Sequence, residues 1–417
     1  MARKMKDSGI EWIGEIPEGW SIARGKHILT LLQRAVFPTD GVITCFRDGE
    51  VTLRSNRRED GFTVSLKEIG YQGIEPGDLV VHGMDGFAGS IGISDSRGKS
   101  SPVLVVLDSS QDKKYLMYYL RSMAYNNVFL ALSTGIRVRS CDLKWNKLAD
   151  LLYLVPPIVE QHKLVSFLDE KCSEIDAMLS KTRASIEEYK KLKQAVITQA
   201  VTKGVRGKRE MKDSGVEWIG EIPKEWDILN LVAHTSMLTP MRDRPENLDG
   251  PIPWIRIEDF DGKYISSSKA SLGVSKETVR SMNLKIYPVG TILCTSSCIM
   301  GKCAIVSREL VSNQRFIGII PDQNTCENFL YYLMLSNSER MNYLATGALQ
   351  ANLSRSSFEH LKVQFPSYQE QKEISDYLDT KCAEIDKLIA KKEQLVKELE
   401  SYKKSLIYEV VTGKREV

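Results

Sequence analysis

The chain has 417 residues, of which 42% are hydrophobic and 27% charged, with a formal net charge of +3. That length exceeds one ordinary hydrophobic core, so two or more domains are expected. No apolar run approaches the roughly 18 residues that span a bilayer, and the opening Met1-Ala-Arg-Lys-Met-Lys-Asp-Ser lacks the apolar centre of a secretory signal. A cytoplasmic location with no membrane association is expected, and with it eight reduced cysteines. The small net charge does not exclude nucleic acid as a partner, because binding needs local basic patches rather than a large total.

Along the chain, the first distinctive segment is residues 5–17, Met-Lys-Asp-Ser-Gly-Ile-Glu-Trp-Ile-Gly-Glu-Ile-Pro. It recurs at residues 211–223 with Val216 in place of Ile10. A body follows each copy. In the first body Ile74-Glu-Pro76-Gly-Asp-Leu-Val-Val, Gly89-Ser-Ile-Gly-Ile93 and Tyr115-Leu-Met-Tyr-Tyr-Leu120 stand in order. They parallel Ile286-Tyr-Pro288-Val-Gly-Thr-Ile-Leu, Gly301-Lys-Cys-Ala-Ile305 and Phe329-Leu-Tyr-Tyr-Leu-Met334 of the second. The pattern predicts short β-branched strands between Gly/Pro turns, then one amphipathic helix.

A long helical arm closes each half. In the first, Leu168, Ile175, Thr182, Tyr189 and Val196 recur every seven residues, with Cys172, Leu179, Ile186, Lys193 and Ala200 four residues on. In the second the rows are Leu378, Ile385, Lys392, Leu399 and Leu406, and Cys382, Ile389, Val396, Lys403 and Val410. Sustained heptads predict a coiled coil. The polar entries Thr182, Lys193, Lys392 and Lys403 point to irregular packing or to partners. Pro157 suits a first helical turn, and Ser367 with Glu370 predicts a capping box. An arm of about 45 residues would be about 65–70 Å long.

Shared positions Glu160-Gln161 and Glu370-Gln371, and the endings Val201-Thr202 and Val411-Thr412, make the chain two copies of a unit of about 210 residues. The expected fold is α+β: two β-rich domains separated by two long helices packed as an antiparallel coiled coil, a pseudo-two-fold tandem repeat. The boundaries drawn are 1–155, 156–210, 211–365 and 366–417. Dimerisation through the arms is the competing arrangement.

No catalytic motif is intact. At Gly98-Lys99-Ser100 a phosphate loop would need glycine where Ile93 stands. Pro156-Pro157 lies between Val155 and Ile158, so it is a helix entry rather than a methyltransferase motif. G-x-S-x-G and H-E-x-x-H are absent. Glu258-Asp259 and Asp261 lack the following lysine of a nuclease. Cys294, Cys298 and Cys303 have no nearby histidine, so no metal site is expected.

The order body, arm, body, arm, together with Asp7-Ser-Gly-Ile-Glu-Trp-Ile-Gly-Glu-Ile-Pro17 and Trp20, their copy at 213–223 with Trp226, the Glu-Gln helix entries and the Val-Thr endings, resembles the specificity subunits of type I restriction-modification systems. Lys203 departs from the pattern by splitting the first Val-Thr-Gly ending. The resemblance covers essentially the whole chain. It implies two target-recognition domains, each reading one half of an interrupted double-stranded DNA site. It also implies two adenine methyltransferase subunits and ATP-dependent motor-nuclease subunits as partners. S-adenosylmethionine, ATP and magnesium would then belong to those partners, with no cofactor in this chain. Two other readings stand beside it: a structural scaffold whose heads bind protein, and a stand-alone modification enzyme.

DNA reading needs phosphate anchors and side chains that reach base edges. In head one the candidates are Arg54, Arg57 and Arg58, then Met84 and Asp85 in the hairpin after His82, then Arg137, Arg139 and Lys144 after the short helix. In head two they are Arg242, Arg244 and Arg256, then Ser296 and Ser297, then Gln350, Asn352 and Arg355. Arginine favours guanine edges and Gln/Asn favour adenine edges, so the last loops would help set different half-sites.

Overall fold

A computed structural model describes residues 3–57, 68–131, 143–240, 244–297, 301–345 and 353–417. The chain divides into two compact units, residues 1–183 with 394–417, and residues 184–393. Each contains one head, half of the first arm and half of the second.

The duplicated segment forms the same hairpin in both units. Met5–Asp7 pairs antiparallel with Glu15–Pro17, and Met211–Asp213 with Glu221–Pro223. Its turn explains the motif. The Asp7 carboxylate accepts the Gly9 N–H at 2.9 Å, and Ser8 N–H donates to the Gly14 carbonyl at 3.0 Å. Gly9 and Gly14 both sit at positive φ (64° and 72°), where a Cβ is strained. Asp213, Ser214, Gly215 and Gly220 repeat the arrangement.

Head one is built on an antiparallel sheet in the order Leu29–Leu31, Leu104–Ser109, Leu79–His82, Ile91–Ile93. Helix Lys113–Tyr125 packs Leu116, Tyr119, Leu120 and Met123 into the core with Val81 and Ile91. Head two carries the same frame, Thr235–Leu238, Phe316–Pro321, Ile292–Thr295, Cys303–Val306, with Tyr264–Ile265 added in parallel at the edge. It also has a three-stranded sheet, Gly273–Val274, Ile252–Ile255 and Val311–Ser312, which the sequence pattern does not signal. The expected register is corrected by one residue. Leu79 matches Ile292, not Thr291, because the left-handed glycine of the preceding turn is Gly77 in one head and Gly290 in the other.

The arms are helices Ile158–Lys203 and Tyr368–Val411. In the first unit Lys403 reaches Asp176 at 2.7 Å and Arg183 reaches Glu400 at 2.6 Å. In the second, Lys193 reaches Asp386 and Arg206 reaches Glu373, each at 2.7 Å. Advance along one arm meets retreat along the other, so the arm segments pack antiparallel within each unit. Lys193 and Lys403 are thus partnered between arms, and Lys392 lies 5.6 Å from the Tyr189 ring centroid. The apolar rows are buried beside the heads, at Leu168 to Leu179 and Leu378 to Ile385, while Tyr189, Val196, Ile389 and Leu399 stay half-buried.

The capping box is only half formed. Ser367 Oγ accepts the Glu370 N–H at 3.4 Å, but the Glu370 carboxylate turns instead to Arg209 at 2.6 Å and to the Trp226 indole N–H at 3.0 Å. A buried carboxylate is drawn to a cation and a donor that would otherwise be unpaired. One residue on, Gln371 fastens head to arm. Its carbonyl accepts the Cys326 N–H at 2.8 Å, and its amide donates to the Asn324 and Pro366 carbonyls at 3.1 and 3.0 Å. Gln161 does the same through Asp112 N–H, Gln111 and Pro156.

Candidate nucleic-acid interface

In head one the strand Leu79–His82 runs into a turn that ends in the 3-10 helix Gly86–Ala88. His82 organises that turn: its Nδ1 accepts the N–H groups of Met84 at 3.3 Å and Asp85 at 3.0 Å. Burial holds the His82 pKa below the ordinary histidine value. The neutral ring keeps the lone pair that this acceptor role needs. Met84 is thereby left half exposed, and Asp85 pairs with Arg47 at 3.1 Å.

Backbone bonds clasp this turn to the segment after the head helices. Gly83 N–H donates to the Val103 carbonyl at 2.8 Å, and the Gly83 carbonyl accepts the Leu143 N–H at 2.9 Å. Leu143 is buried, and a Cβ on Gly86 would fall 2.6 Å from its Cδ1. Glycine therefore permits the close approach. Lys144 follows at the surface, beside a groove of about 470 Å³ that Gln33, Arg34 and Gln72 also line.

Head two repeats the clasp with different chemistry. Ser296 N–H donates to the Arg315 carbonyl at 2.8 Å, and the Ser296 carbonyl accepts the Leu353 N–H at 2.9 Å. Thr295 stands where head one has His82, and its hydroxyl accepts the Lys302 N–H at 3.2 Å. Arg355 follows two residues after Leu353, exposed, in the short helix Arg355–Glu359, paired with Glu359 at 2.7 Å.

The other candidates are distributed as follows. Arg54 donates to Thr44 Oγ1 at 2.9 Å. Arg57 pairs with Asp48 at 2.7 Å and Glu50 at 2.9 Å, and covers the Phe46 ring at 4.2 Å. The hydrogen bond to Asp48 raises its pKa further. The turn holding these carboxylates reaches the Met84–Asp85 turn through Arg47. Ser297 is buried, so its side chain does not form part of the exposed turn. Arg256 borders the separate three-stranded sheet, its N–H donating to Asp259 at 2.7 Å and its guanidinium 3.9 Å from Glu258. Arg244 is exposed and makes no ion pair with a described residue. Arg58, Arg137, Arg139, Arg242, Gln350 and Asn352 lie outside the described residues.

Sequence reasoning missed Leu143, Leu353 and Arg121. Leu143 and Leu353 sit 210 residues apart, so the repeat offset itself would have paired them. Arg121 ties the strand Ile91–Ile93 to the turn at Gly49 by donating to the Ile91 and Gly49 carbonyls at 2.7 and 2.9 Å. A single arginine in an amphipathic helix carries no local sign of that role. Among the described residues no group of three or more His, Cys, Asp or Glu is placed to hold a metal, and no helix is long and apolar enough to cross a membrane.

The geometry defines a duplicated α+β protein whose two heads carry one clasped-turn frame with different surfaces. Residues 227–398 match the family model described as the type I restriction modification DNA specificity domain. The type I restriction enzyme MjaIX specificity subunit of Methanocaldococcus jannaschii is 34% identical over 168 residues, which is 38% of this chain and 38% of the relative's length. The MjaVIII specificity subunit of the same organism is 24% identical over 76% of this chain and 74% of its own length. A chain from a solved structure on complex assembly and conformational transition of the type I R-M system shares the fold. Its TM-score is 0.74 at 12% identity, over 96% of this chain and 99% of that one. Residues 227–398 thus carry a type I restriction modification DNA specificity domain, and the chain as a whole is similar to type I restriction enzyme specificity subunits.

Proposed function

We propose that each head reads one half of a bipartite, interrupted DNA site, with the arms holding the two readings at a fixed gap. The observation that carries this is the repeated clasp. The same two backbone hydrogen bonds hold a hairpin turn against the segment before Lys144 in one head and before Arg355 in the other, while the turn side chains differ. A shared frame with unlike surfaces suits two readers of two unlike half-sites.

In this reading the domains are 1–155 and 211–365 as target-recognition heads, and 156–210 and 366–417 as helical spacers. The clasped turns and the residues that follow them, Met84, Asp85, Lys144, Ser296 and Arg355, face DNA with the loops that hold Arg137, Arg139, Gln350 and Asn352. Arg54, Arg57, Arg58, Arg242, Arg244 and Arg256 complete the proposed surface, while Ser297 is buried beneath it and would act through packing. Arg57 already has two carboxylate neighbours, so it contributes less net charge than its type suggests. The subunit works in the cytoplasm without catalysing a reaction itself. Two adenine methyltransferase subunits and ATP-dependent restriction subunits supply methylation and cleavage, with S-adenosylmethionine, ATP and magnesium bound there.

Mapping methylated adenines across a genome that carries the system tests the proposal. The expected pattern is one motif of two unlike halves with a constant gap. A continuous motif, or halves at scattered gaps, would overturn it.

A further inference from the structure

Cys294 and Cys303 stand opposite each other in the antiparallel pair at the centre of head two. Thr295 N–H donates to the Lys302 carbonyl at 2.9 Å and Val306 N–H to the Thr291 carbonyl at 2.8 Å. Those bonds put the cysteines on a non-hydrogen-bonded rung, where facing Cα atoms approach to about 4.5 Å and side chains lie closest. A disulfide accepts Cα spacings of roughly 4.4–6.8 Å, so the rung suits one without backbone movement. The two sulfurs are 2.7 Å apart and both residues are buried. The rung is also one step from the turn: Thr295 follows Cys294, and the next carbonyl, that of Ser296, holds Leu353.

Among its described residues, head one has no such pair. Its matching rung is Val81 opposite Ile91, two aliphatic side chains in the equivalent core.

We propose that Cys294 and Cys303 form an oxidisable dithiol, a modification site that closes as an intrachain disulfide and alters DNA reading by head two alone. With a peroxide as oxidant, one S–S bond forms and the O–O bond breaks. The two thiols give up two electrons and two protons, and hydrogen peroxide leaves as two water molecules. Burial pushes the Cys294 thiol well above its usual pKa, so the reactive thiolate is scarce at neutral pH and closure is slow there, quickening as pH rises. The new bond would fix the base of the turn that Ser296 and Leu353 clasp. This consequence rests on the reading of head two as a DNA reader.

The test treats the full chain with hydrogen peroxide, alkylates it after unfolding and maps the peptides by mass spectrometry. It also measures binding of the assembled complex to DNA altered in one half-site at a time. The expected product is a Cys294–Cys303 cross-link lacking two hydrogens and undone by dithiothreitol. Selectivity should change at least about threefold at the half-site of head two and stay constant at the other. The double variant Cys294→Val/Cys303→Ile, which copies the rung of head one, should show neither effect. Two thiols that remain free to alkylate, or a cross-link that runs to Cys298 instead, would overturn the dithiol. A cross-link that changes both half-sites or neither would overturn its action on head two. If the reduced complex shows no half-site selectivity at all, the DNA-reading proposal has failed instead, while the peptide map still decides the chemistry.

Discussion

Where the central hairpin of each head enters its turn, head one places His82 and head two Thr295. The imidazole collects two backbone N–H groups of the following turn, whereas the threonine hydroxyl takes one from the opposite strand. Yet the next residue does the same work in both, giving its N–H to one strand and its carbonyl to the leucine after the loop. The frame is therefore carried by main-chain bonds and buried leucines, which tolerate wide change in the side chains around them. A duplicated scaffold can diverge in what it presents without losing how it presents it.

The leucines of the clasp are where the comparison breaks most easily. Leu143→Ala should destabilise the first unit by about 2–5 kcal/mol, through a cavity beside Gly86 and the core, and should weaken selection of one half-site. Leu353→Ala should act on the other half-site. Thermal melting with half-site competition checks both, and equal effects on both half-sites from either variant would contradict independent heads.

A smaller effect sharpens the contrast between the loops. Replacing Arg137 and Arg139 by Ala should cost roughly 1–3 kcal/mol per good base-reading pair and relax one half-site. If the arginines touch phosphates, affinity falls evenly and its salt dependence flattens. Binding titrations at several salt concentrations separate the two.

The histidine gives a pH signature that the threonine cannot. With its folded pKa depressed, His82 is neutral in the closed turn, while an opened turn would bind a proton more readily. Stability of the turn is therefore present above the usual histidine pKa of about 6.5 and falls as pH drops through it. Recognition by head one should weaken on acidification more than recognition by head two, and His82→Gln should flatten that difference. Half-site competition across pH 5–8 measures it, on roughly the range where histidine titrates.

The arms give the smallest effect. Lys403→Met removes a partly exposed pair with Asp176 and should change stability by under about 1 kcal/mol.

The arms and the duplication of residues 5–17 were legible in the sequence because their signals are local, although the hairpin that the duplicated segment forms was not foreseen. Heptad spacing, and a glycine at each left-handed position, are set within a few residues. The polar heptad positions were legible only as exceptions, since the partners of Lys193 and Lys403 lie on the other arm. Register in the heads was harder. One extra residue before Gly290 moves the pairing by one, and nothing nearby announces it. The parallel pairing of Tyr264–Ile265 with Cys303–Val306 depends on distant strands and leaves no periodic trace. The candidate surface was legible as residue types. Which arginines already have carboxylate neighbours, as Arg57 does with Asp48 and Glu50, was not.

The most direct test of two independent readers on one frame is a head exchange. Residues 18–155, which lie between the first hairpin and the first arm, would be replaced by the matching head of another specificity subunit. The methylated sites would then be mapped across the genome. The account predicts a motif with one half changed, the other half retained and the gap unaltered. A motif in which both halves change together would contradict it.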